Sequence, residues 1–322
     1  MNSASAEHHF ALGTFTDGDG PPFAGLVRGD RVLPLTDDGA LRGAATVRGL
    51  LEQWDAVWPR LDELAAGQDS GWADLASLRV LPPLEPRQII QAGANYRAHL
   101  LEMATAKRVA DGQGAQEARH AAEAEVEEFA RGRPFLFIGL PSAMCGPHDD
   151  VLLPAGAQQP DWEVELAAVI GRPGRHITPE QAMDHIAGYT VCNDISARDW
   201  QFSPEHRALG GDWLRAKNQP TFLPTGPFLV PAPFLGDPYG LRLTMTLNGQ
   251  VMQDETPQDM IFDIARLVSD ASASTTLLPG DLILTGSPKG NGGQWNRYLR
   301  PGDVIEAAIT GIGTQRNHCA PA

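Results

Sequence analysis

Two glutamates in the sequence, Glu163 and Glu165, are spaced so that they can act together. They lie in the segment WEVELAAVI at positions 162–170, which begins with the polar–apolar alternation of a β-strand. Because residues i and i+2 of a strand point to the same face, both carboxylates face one way while Val164 faces the core. Two neighbouring carboxylates repel each other unless water or a cation screens them, and Mg²⁺ prefers carboxylate oxygens. The pair therefore indicates either a divalent-metal site or the solvated face of an ordinary strand.

A third carboxylate, Asp194, ends another predicted strand, AGYTVCND at positions 187–194. A metal held by two glutamates needs a further ligand, and a carboxylate at a strand end can supply one. Ser196 and Arg198 follow closely, so the same segment also fits a turn closed by a salt bridge. The residues alone leave both interpretations open.

His99 and Glu102 stand three residues apart in the segment NYRAHLLEM. If the segment is helical, they share a face, and the carboxylate would orient the imidazole as a general base. Such a pair is otherwise a surface contact on an exposed helix. Lys217, in WLRAK, is either a cation placed beside a developing oxyanion or a surface lysine with its aliphatic stem on apolar residues.

A glycine-rich loop, LTGSPKG at positions 284–290, follows a predicted strand. Its backbone N–H groups can bind an anion, but its spacing is not that of a phosphate-binding P-loop. The sequence also has no H-E-x-x-H, no G-x-S-x-G and no G-x-G-x-x-G after a strand. Zinc-protease, serine-hydrolase and dinucleotide-binding functions therefore lack support.

The composition restricts the class of protein further. The 322 residues include 40 Asp+Glu and 25 Lys+Arg, a formal charge of −15 that disfavours binding to nucleic acids and anionic membranes. No run approaches the roughly 20 apolar residues of a membrane-spanning helix, and MNSASAEHHFALGTF does not resemble a signal peptide. Three scattered cysteines are too few for a disulfide framework or a cysteine-based zinc site. We expect a soluble, reduced, cytoplasmic protein.

The proline-rich segment LPPLEP, at positions 81–86, predicts a stiff connector between two domains. Residues 1–80 would form a small N-terminal α/β domain and residues 81–322 the catalytic domain. In the first, residues 46–66 predict a helix that is interrupted at Pro59. In the second, the Ala- and Glu-rich stretch at about 96–133 predicts helix, either a solvated helix or a mobile lid.

Beyond this stretch the pattern is mostly that of strands. PFLFIG, at 134–139, predicts a buried strand, and Asn248-Gly249 predicts a type I′ hairpin turn. Residues 259–272 predict a helix. Because strands outnumber helices and the helices are scattered among them, we predict an α+β fold, mostly β, with mixed or mainly antiparallel sheets.

Taken in order, these segments resemble the fumarylacetoacetate hydrolase superfamily from about Arg87 to about Asn317. The segments that carry the resemblance are GANYRAHLLEM, WEVELAAVIGR, AGYTVCNDISARDWQ, WLRAK, MIFDIARLV, PGDLILTGSPKG and PGDVIEAAITGIGTQRN. The resemblance implies a mixed β-sandwich roll as the catalytic fold and a homodimer as the assembly. It also implies a divalent metal, usually Mg²⁺ and in some members Mn²⁺ or Ca²⁺.

The resemblance further implies a role for particular residues. The metal ligands would be Glu163, Glu165 and Asp194. The catalytic residues would be His99, Glu102 and Lys217. The substrate-binding residues would be Arg198, Gln201, Tyr96 and Ser287.

The implied activity is hydrolysis of a C–C bond in an acylpyruvate-like 2,4-dioxo acid. Water activated by His99 and Glu102 would attack the distal carbonyl, and an enolate stabilised by the metal would leave. The same site allows decarboxylation of oxaloacetate or a related 2-oxo diacid, and an isomerase or hydratase of aromatic catabolism. A non-enzymatic, metal-dependent 2-oxo-acid binding module is the remaining alternative.

Three features depart from the family pattern. The segment between Met103 and Pro134 is longer than in compact members. Gly139 stands near a position where the family often has lysine. After Lys217, the residues Asn-Gln-Pro replace a more usual Ser-Phe-Asp-like sequence. These departures bear on the choice of substrate more than on metal binding.

Overall fold

The computed structural model describes residues 9–35, 39–41, 45–67 and 70–322. The N-terminal part contains β1 (Ala11–Thr16), β2 (Phe23–Arg28), β3 (Arg31–Pro34), α1 (Val47–Leu51), α2 (Trp54–Ala66), β4 (Ala73–Asp74) and β5 (Arg79–Leu81). Its strands form one sheet in the order β4-β3-β2-β1-β5, and each strand runs antiparallel to its neighbours. The helices pack against this sheet and contribute to a common apolar core.

The predicted interruption of the N-terminal helix at Pro59 is wrong. The break comes earlier, at Glu52 and Gln53, and α2 runs through the proline. Proline removes one backbone hydrogen bond from a helix. The buried apolar face of α2, with Val57 and Leu61, packs on the sheet and keeps the helix continuous.

The N-terminal sheet is attached directly to the rest of the chain. The backbones of Leu12 in β1 and Leu229 exchange two hydrogen bonds of 2.8 Å each. One buried apolar cluster contains Leu50 of α1 together with Ile89 and Val169 of the catalytic part. The two parts therefore share a core, and their independence as domains, with a boundary near residue 80, stays a prediction.

The catalytic part is built of strands with helices between them. Its strands are β6 (Ile89–Gly93), β7 (Phe135–Gly139), β8 (Met144–Cys145), β9 (Val151–Leu153), β10 (Pro160–Asp161), β11 (Val164–Ile170), β12 (Ile186–Asn193), β13 (Ser196–Ala197), β14 (Leu223–Pro224), β15 (Val230–Pro231), β16 (Leu243–Leu247), β17 (Gln250–Glu255), β18 (Leu282–Leu284), β19 (Val304–Ile309) and β20 (Gly313–Pro321). Its helices are α3 (Arg97–Ala110), α4 (Ala115–Ala130), α5 (Pro179–Ala182), α6 (Arg198–Gln201), α7 (Trp213–Lys217), α8 (Ala232–Leu235), α9 (Ile264–Ser274) and α10 (Gly292–Trp295).

Two larger sheets pack face to face and enclose the main core. One has the order β15-β12-β11-β18-β6-β7 and the other β17-β16-β19-β20-β9. Most neighbours are antiparallel, but β6 runs parallel to β18 and β9 runs parallel to β20. A single buried cluster joins Leu166 and Val191 of the first sheet to Leu243 and Ile305 of the second. The predicted α+β class with mixed sheets is confirmed.

Two strands differ from their predicted burial. Strand β11 is buried along its whole length, and Glu165 is only 1% exposed, so the interpretation as a solvated strand face is wrong. The reason is that β11 lies between β12 and β18 and both of its faces are covered. Strand β7 is not the buried strand predicted, because it is at the sheet edge and exposes Phe135 and Ile138.

The remaining local predictions are largely confirmed. The β16–β17 turn has positive φ at Asn248 and Gly249, as a type I′ turn requires. The helix predicted from residue 259 begins later, at Ile264, where the Asp263 carboxylate accepts a hydrogen bond from Arg266 N. Helices occupy the predicted 96–133 stretch, and α3 and α4 pack together. No helix in the described ranges is long and apolar enough to cross a bilayer.

Replacing Gly188 in β12 with alanine is expected to destabilise the fold. A Cβ atom there would lie 2.2 Å from the Val230 carbonyl oxygen, so the β12–β15 pairing would have to shift. Overpacking of this kind costs about 1–3 kcal/mol of unfolding free energy. Urea unfolding measures the loss. Gly240→Ala is the matched control, because the nearest atom to its Cβ is 4.0 Å away. Equal stability of the two variants would contradict the packing described here.

Candidate active site

Three buried carboxylates meet at one end of the six-stranded sheet. Glu163 precedes β11, Glu165 lies within it, and Asp194 directly follows the neighbouring strand β12. The antiparallel register pairs Glu165 with Cys192, and Asp194 N donates to Glu163 O at 2.9 Å. One oxygen from each carboxylate can be chosen so that all three lie within 4.8 Å of one another. Strand register therefore assembles the three predicted metal ligands.

Two cations bind these carboxylates. Lys217 Nζ, from α7, donates to Glu163 Oε2 and to Asp194 Oδ2, each at 2.5 Å. Arg198, from α6, donates through Nη2 to Glu163 Oε1 at 2.5 Å and through Nε to Asp161 Oδ2 at 2.9 Å. Lys217 is only 3% exposed, so it is not the surface lysine of the alternative interpretation. A buried ammonium group requires such partners.

The pKa values of the carboxylates respond to this arrangement. Burial would raise the pKa of Glu163, but Arg198 and Lys217 lower it to about 2. Burial raises the pKa of Asp194 to about 6, even though Lys217 opposes the shift. Burial, followed by repulsion from Asp194 and Glu163, raises the pKa of Glu165 well above its usual value. Glu165 is therefore the carboxylate whose negative charge is least compensated.

The charge balance of the cluster fits a divalent cation. With Asp161 included, four carboxylates face two cations, which leaves a formal charge of −2 when all are ionised. The three clustered ligands, Glu163, Glu165 and Asp194, all offer hard oxygen atoms, which Mg²⁺ and Mn²⁺ prefer. These residues could hold a divalent metal, which would neutralise the excess charge.

Three buried amide groups around the carboxylates have a free polar atom. Gln91 Oε1, Asn193 Nδ2 and Asn291 Oδ1 have no hydrogen-bond partner within the described residues. Asn193 precedes Asp194 in the chain, and Asn291 Nδ2 is 3.5 Å from Glu163 Oε1. Because buried polar groups are normally satisfied, these atoms favour a site that takes up water or a ligand.

Helix α3 brings His99 to the cluster. His99 is buried, and burial lowers the pKa of its imidazole to about 4, although Glu163 opposes the shift. The ring is therefore neutral near pH 7 and can accept a proton. The N-terminus of α3 is fixed by a 2.8 Å hydrogen bond from Ala98 N to Asp259 Oδ2.

Glu102, the predicted partner of His99, is engaged elsewhere. Its Oε1 accepts a 3.1 Å hydrogen bond from Gln294 Nε2 on α10. No hydrogen bond joins Glu102 to His99 in the described part of the chain. The two side chains share a helix face, as the spacing predicts, but in this conformation they do not form the predicted pair.

The predicted substrate-binding residues lie at or near the cluster. Arg198 is occupied by carboxylates, and Gln201 Oε1 accepts from Arg198 Nη1 at 3.4 Å. Tyr96 is fully buried, and burial raises the pKa of its phenol. Ser287 Oγ accepts from Gln253 Nε2 at 2.9 Å. In this structure Arg198 and Gln201 organise the site, and contact of all four residues with a substrate stays a prediction.

Several residues of the site are absent from the set predicted from the sequence. Asp161 stands two residues before Glu163, so the alternation that singles out the glutamate pair could have included it. Asn193 stands beside Asp194 in a segment that was already singled out. Gln91 and Asn291 carry no local signal, because a lone amide in a strand or loop is common and only tertiary packing places it here.

The fold and the acidic cluster define a class of enzyme in which two neighbouring strands can present a divalent cation to a small substrate. Comparison with known families makes the assignment specific. Residues 88–320 match the model for the fumarylacetoacetate (FAA) hydrolase C-terminal domain. The chain therefore belongs to the fumarylacetoacetate hydrolase family, as the motifs indicated.

Individual relatives have different activities. Human oxaloacetate tautomerase FAHD2A, mitochondrial, is 42% identical over 182 residues, which are 56% of this chain and 57% of that protein. The chain thus spans little more than half of the length of this curated relative. A probable 2-hydroxyhepta-2,4-diene-1,7-dioate isomerase from Mycobacterium abscessus is structurally similar, with a TM-score of 0.73, 30% identity and coverage of 97% of this chain and 99% of that one.

A third similar protein has a metal and a small molecule in its structure. It is maleylpyruvate hydrolase from Sphingobium sp. SYK-6 in complex with manganese(II) ion and pyruvate. The TM-score is 0.73 at 25% identity, with coverage of 97% of this chain and 99% of that one. Tautomerase, isomerase and hydrolase activities therefore all occur among proteins similar to this one.

Replacing Glu165 with glutamine is expected to abolish the rise in melting temperature that Mn²⁺ gives the wild-type protein. A ligand that binds only the folded state raises its stability, and Glu165→Gln removes a charged ligand. The same variant is expected to melt at or above the wild-type temperature without metal, because it removes repulsion from Asp194 and Glu163. Thermal unfolding with and without MnCl₂ measures both effects.

Glu205→Gln, at an exposed position, is the control and is expected to behave as wild type in both conditions. If Glu165→Gln kept the full metal-dependent rise in melting temperature, the metal would bind elsewhere.

Proposed function

We propose that this chain is a divalent-metal-dependent isomerase that interconverts the keto and enol forms of oxaloacetate or a similar small 2-oxo diacid. The observation that carries the proposal is the arrangement of His99 and Glu102. A neutral imidazole lies beside the carboxylate cluster, whereas the carboxylate that water activation would need is bonded to Gln294. The names of the tautomerase and isomerase relatives support the same chemistry.

The proposed reaction moves one proton and consumes no other reactant. A C–H bond next to the 2-oxo group breaks, and an O–H bond forms on the former carbonyl oxygen. His99 accepts the proton from carbon, which its neutral imidazole allows, and the imidazolium then returns a proton to the oxygen, directly or through water, so that none is gained or lost. Burial would lower the pKa of Lys217, but Asp194 and Glu163 raise it, so the ammonium stays charged beside the developing oxyanion.

Glu163, Glu165 and Asp194 would hold the metal, and Mg²⁺ is the ion we propose, because all three ligands are carboxylate oxygens. When bound, the cation would supply Lewis-acid stabilisation of negative charge on the oxygens of the 2-oxo acid. Arg198 orients the Glu163 carboxylate by donating to Oε1, the oxygen that Lys217 does not bind. The cytoplasmic location remains a prediction, and the human relative named above is mitochondrial by name.

C–C bond hydrolysis of an acylpyruvate-like 2,4-dioxo acid is the second candidate. It is favoured by the shared helix face of His99 and Glu102, because rotation of Glu102 away from Gln294 would bring the two side chains together. The similarity to a maleylpyruvate hydrolase gives further support. Decarboxylation of oxaloacetate would use the same cluster without requiring His99 as a base.

Proton NMR and the ultraviolet absorbance of the enol, both with Mg²⁺ present, test these candidates. The wild-type chain is expected to accelerate keto–enol exchange of oxaloacetate without forming pyruvate above background. His99→Ala is expected to lower that rate by about 10²–10⁴-fold, the usual contribution of a general acid or base. Glu102→Gln is expected to change it less than tenfold, because Glu102 is hydrogen-bonded to Gln294 and not to His99.

Other products would overturn the proposal in defined ways. Acetate and pyruvate formed from acetylpyruvate, and lost in both the His99 and Glu102 variants, would establish the hydrolase instead. Pyruvate from oxaloacetate that survives in His99→Ala would establish the decarboxylase. Binding of either acid without any turnover would establish a binding module.

We further propose that the chain forms a homodimer through an exposed apolar surface around edge strand β7. The surface contains large side chains from β7, its following loop, the region before α7 and α7 itself. Its members are Phe135, Ile138, Leu140, Phe202, Leu209 and Leu214. Phe135 and Phe202 both contact the Trp213 ring, at centroid distances of 5.0 and 6.2 Å, so these parts are contiguous. Exposed edge strands and apolar patches are typical of association surfaces.

Ile138→Asp is expected to convert the dimer to a monomer, because it buries a charge in the proposed interface. Light scattering coupled to gel filtration measures the mass. Val251→Asp, on exposed strand β17, is the control and is expected to remain dimeric. A monomeric wild-type chain would contradict the homodimer, and a dimeric Ile138→Asp variant would place the interface elsewhere.

A further inference from the structure

Gln91 occupies a central position beside the carboxylate cluster. It lies in the middle of β6, between Leu284 of β18 and Phe137 of β7, and is only 2% exposed. Its Nε2 is 3.4 Å from Asp194 Oδ1, and its Oε1 has no hydrogen-bond partner among the residues that the structure describes. No part of the proposed reaction described so far uses this side chain.

The orientation of the Gln91 amide follows from charge. With the amide reversed, Oε1 would face the Asp194 carboxylate, and the two oxygens would repel each other. The Nε2 group therefore faces Asp194, and Oε1, which is buried and has no partner among the described residues, points away from that carboxylate. Since Lys217 Nζ binds the other oxygen, Asp194 Oδ2, both carboxylate oxygens have a donor. Rotation of the Asp194 carboxylate is thereby restricted from both sides.

Gly139 makes room for this amide. In β7, Gly139 is the partner of Ile89, two residues before Gln91. A Cβ atom at position 139 would lie 3.0 Å from Gln91 Nε2, 3.2 Å from its Cδ and 3.0 Å from Ile89 Cγ2. Its backbone is not in the left-handed region, so glycine is not required there by conformation. Glycine at position 139 leaves space both for the Gln91 amide and for the Ile89 side chain.

We propose that Gln91 is a positioning residue, which orients Asp194 for metal binding and offers its free Oε1 to a hydrogen-bond donor in the site. Because an amide oxygen only accepts, the group it binds must be a donor, and for the proposed 2-oxo diacids, which contain no nitrogen, that donor is the O–H of a water molecule or of the enol. Gly139 is also required in this proposal, because a side chain at position 139 would displace the Gln91 amide. The inference rests on the proposed metal site and extends it to residues outside the three ligands.

Titration of the full chain with Mn²⁺ by calorimetry tests the positioning role without measuring activity. Gln91→Met keeps the volume of the side chain and removes its hydrogen bonds. It is expected to weaken Mn²⁺ binding by about tenfold to a hundredfold, as loss of a residue that orients a metal ligand does. Its melting temperature without metal is expected to stay close to that of the wild type. A purely structural role would show the reverse pattern.

A double-mutant cycle tests the role of Gly139. Gly139→Ala is expected to weaken Mn²⁺ binding in the wild-type background, because the added methyl group displaces the Gln91 amide. In the Gln91→Ala background the same substitution is expected to have little effect, because there is no amide to displace. If Gln91→Met does not fold, Gly139→Ala in the wild-type background still tests the role, because it leaves Gln91 in place: unchanged Mn²⁺ affinity in that variant would overturn the inference.

The outcomes separate the failure of this inference from failure of the metal site. Wild-type Mn²⁺ affinity in Gln91→Met, together with lost binding in Glu165→Gln, would overturn the role of Gln91 and leave the metal site standing. An equal effect of Gly139→Ala in both backgrounds would show that alanine acts through Ile89 rather than Gln91, which also overturns it. Absence of Mn²⁺ binding in the wild-type chain would overturn both proposals.

Discussion

The interaction on which this site depends is the pairing of buried carboxylates with Lys217 and Arg198 at the end of the six-stranded sheet. Lys217 Nζ bridges Glu163 and Asp194 at 2.5 Å, and Arg198 joins Glu163 to Asp161. At low dielectric such attractions are strong, and an unpaired charge is correspondingly unfavourable. Arg198 is the first residue of the short helix α6, and Lys217 is the last residue of the short helix α7. These two helices therefore bring the two cations to the cluster.

The same cluster is a source of instability that the rest of the fold offsets. Within the described residues no cation forms an ion pair with Glu165, and its raised pKa reflects burial first and then repulsion from Asp194 and Glu163. A fold is commonly less stable with polar residues placed for binding than it would be with apolar residues at the same positions. Here two large apolar clusters surround the site, one between the two catalytic sheets and one shared with the N-terminal sheet. The N-terminal part thus contributes to the core that keeps β11 buried.

The choice among enol chemistry, hydrolysis and decarboxylation depends on few atoms. All three reactions can use the cation site and Lys217, and they differ in the proton acceptor and in the presence of activated water. The position of Glu102 bears on the choice between the proposed enol chemistry and hydrolysis, since hydrolysis would need Glu102 beside His99 and the structure bonds it to Gln294. One scaffold can support several reactions in this way, which agrees with the different activities named for similar proteins.

The sequence alone determined the family, the α+β class and the segments that carry the site, because motif spacing and apolar periodicity are local properties. The same holds for the type I′ turn at Asn248-Gly249, whose backbone needs those residue types. Burial is harder to predict from the sequence. The alternation around Glu163 and Glu165 allows either a solvated strand face or a metal site, and PFLFIG predicts a buried strand, whereas the structure buries β11 and exposes part of β7. The order of strands in the sheet decides which strands are buried, and that order depends on pairings between segments distant in the chain.

Only the tertiary structure decided which side chains act together. It placed Lys217 between two carboxylates 54 and 23 residues away in sequence, and Gln91 beside Asp194 at a separation of 103 residues. It also joined Glu102 to Gln294 of α10 rather than to His99, although helical spacing puts Glu102 and His99 on one face. Local spacing determines which residues can meet, whereas hydrogen bonds and charge pairs formed across the fold determine which of them do.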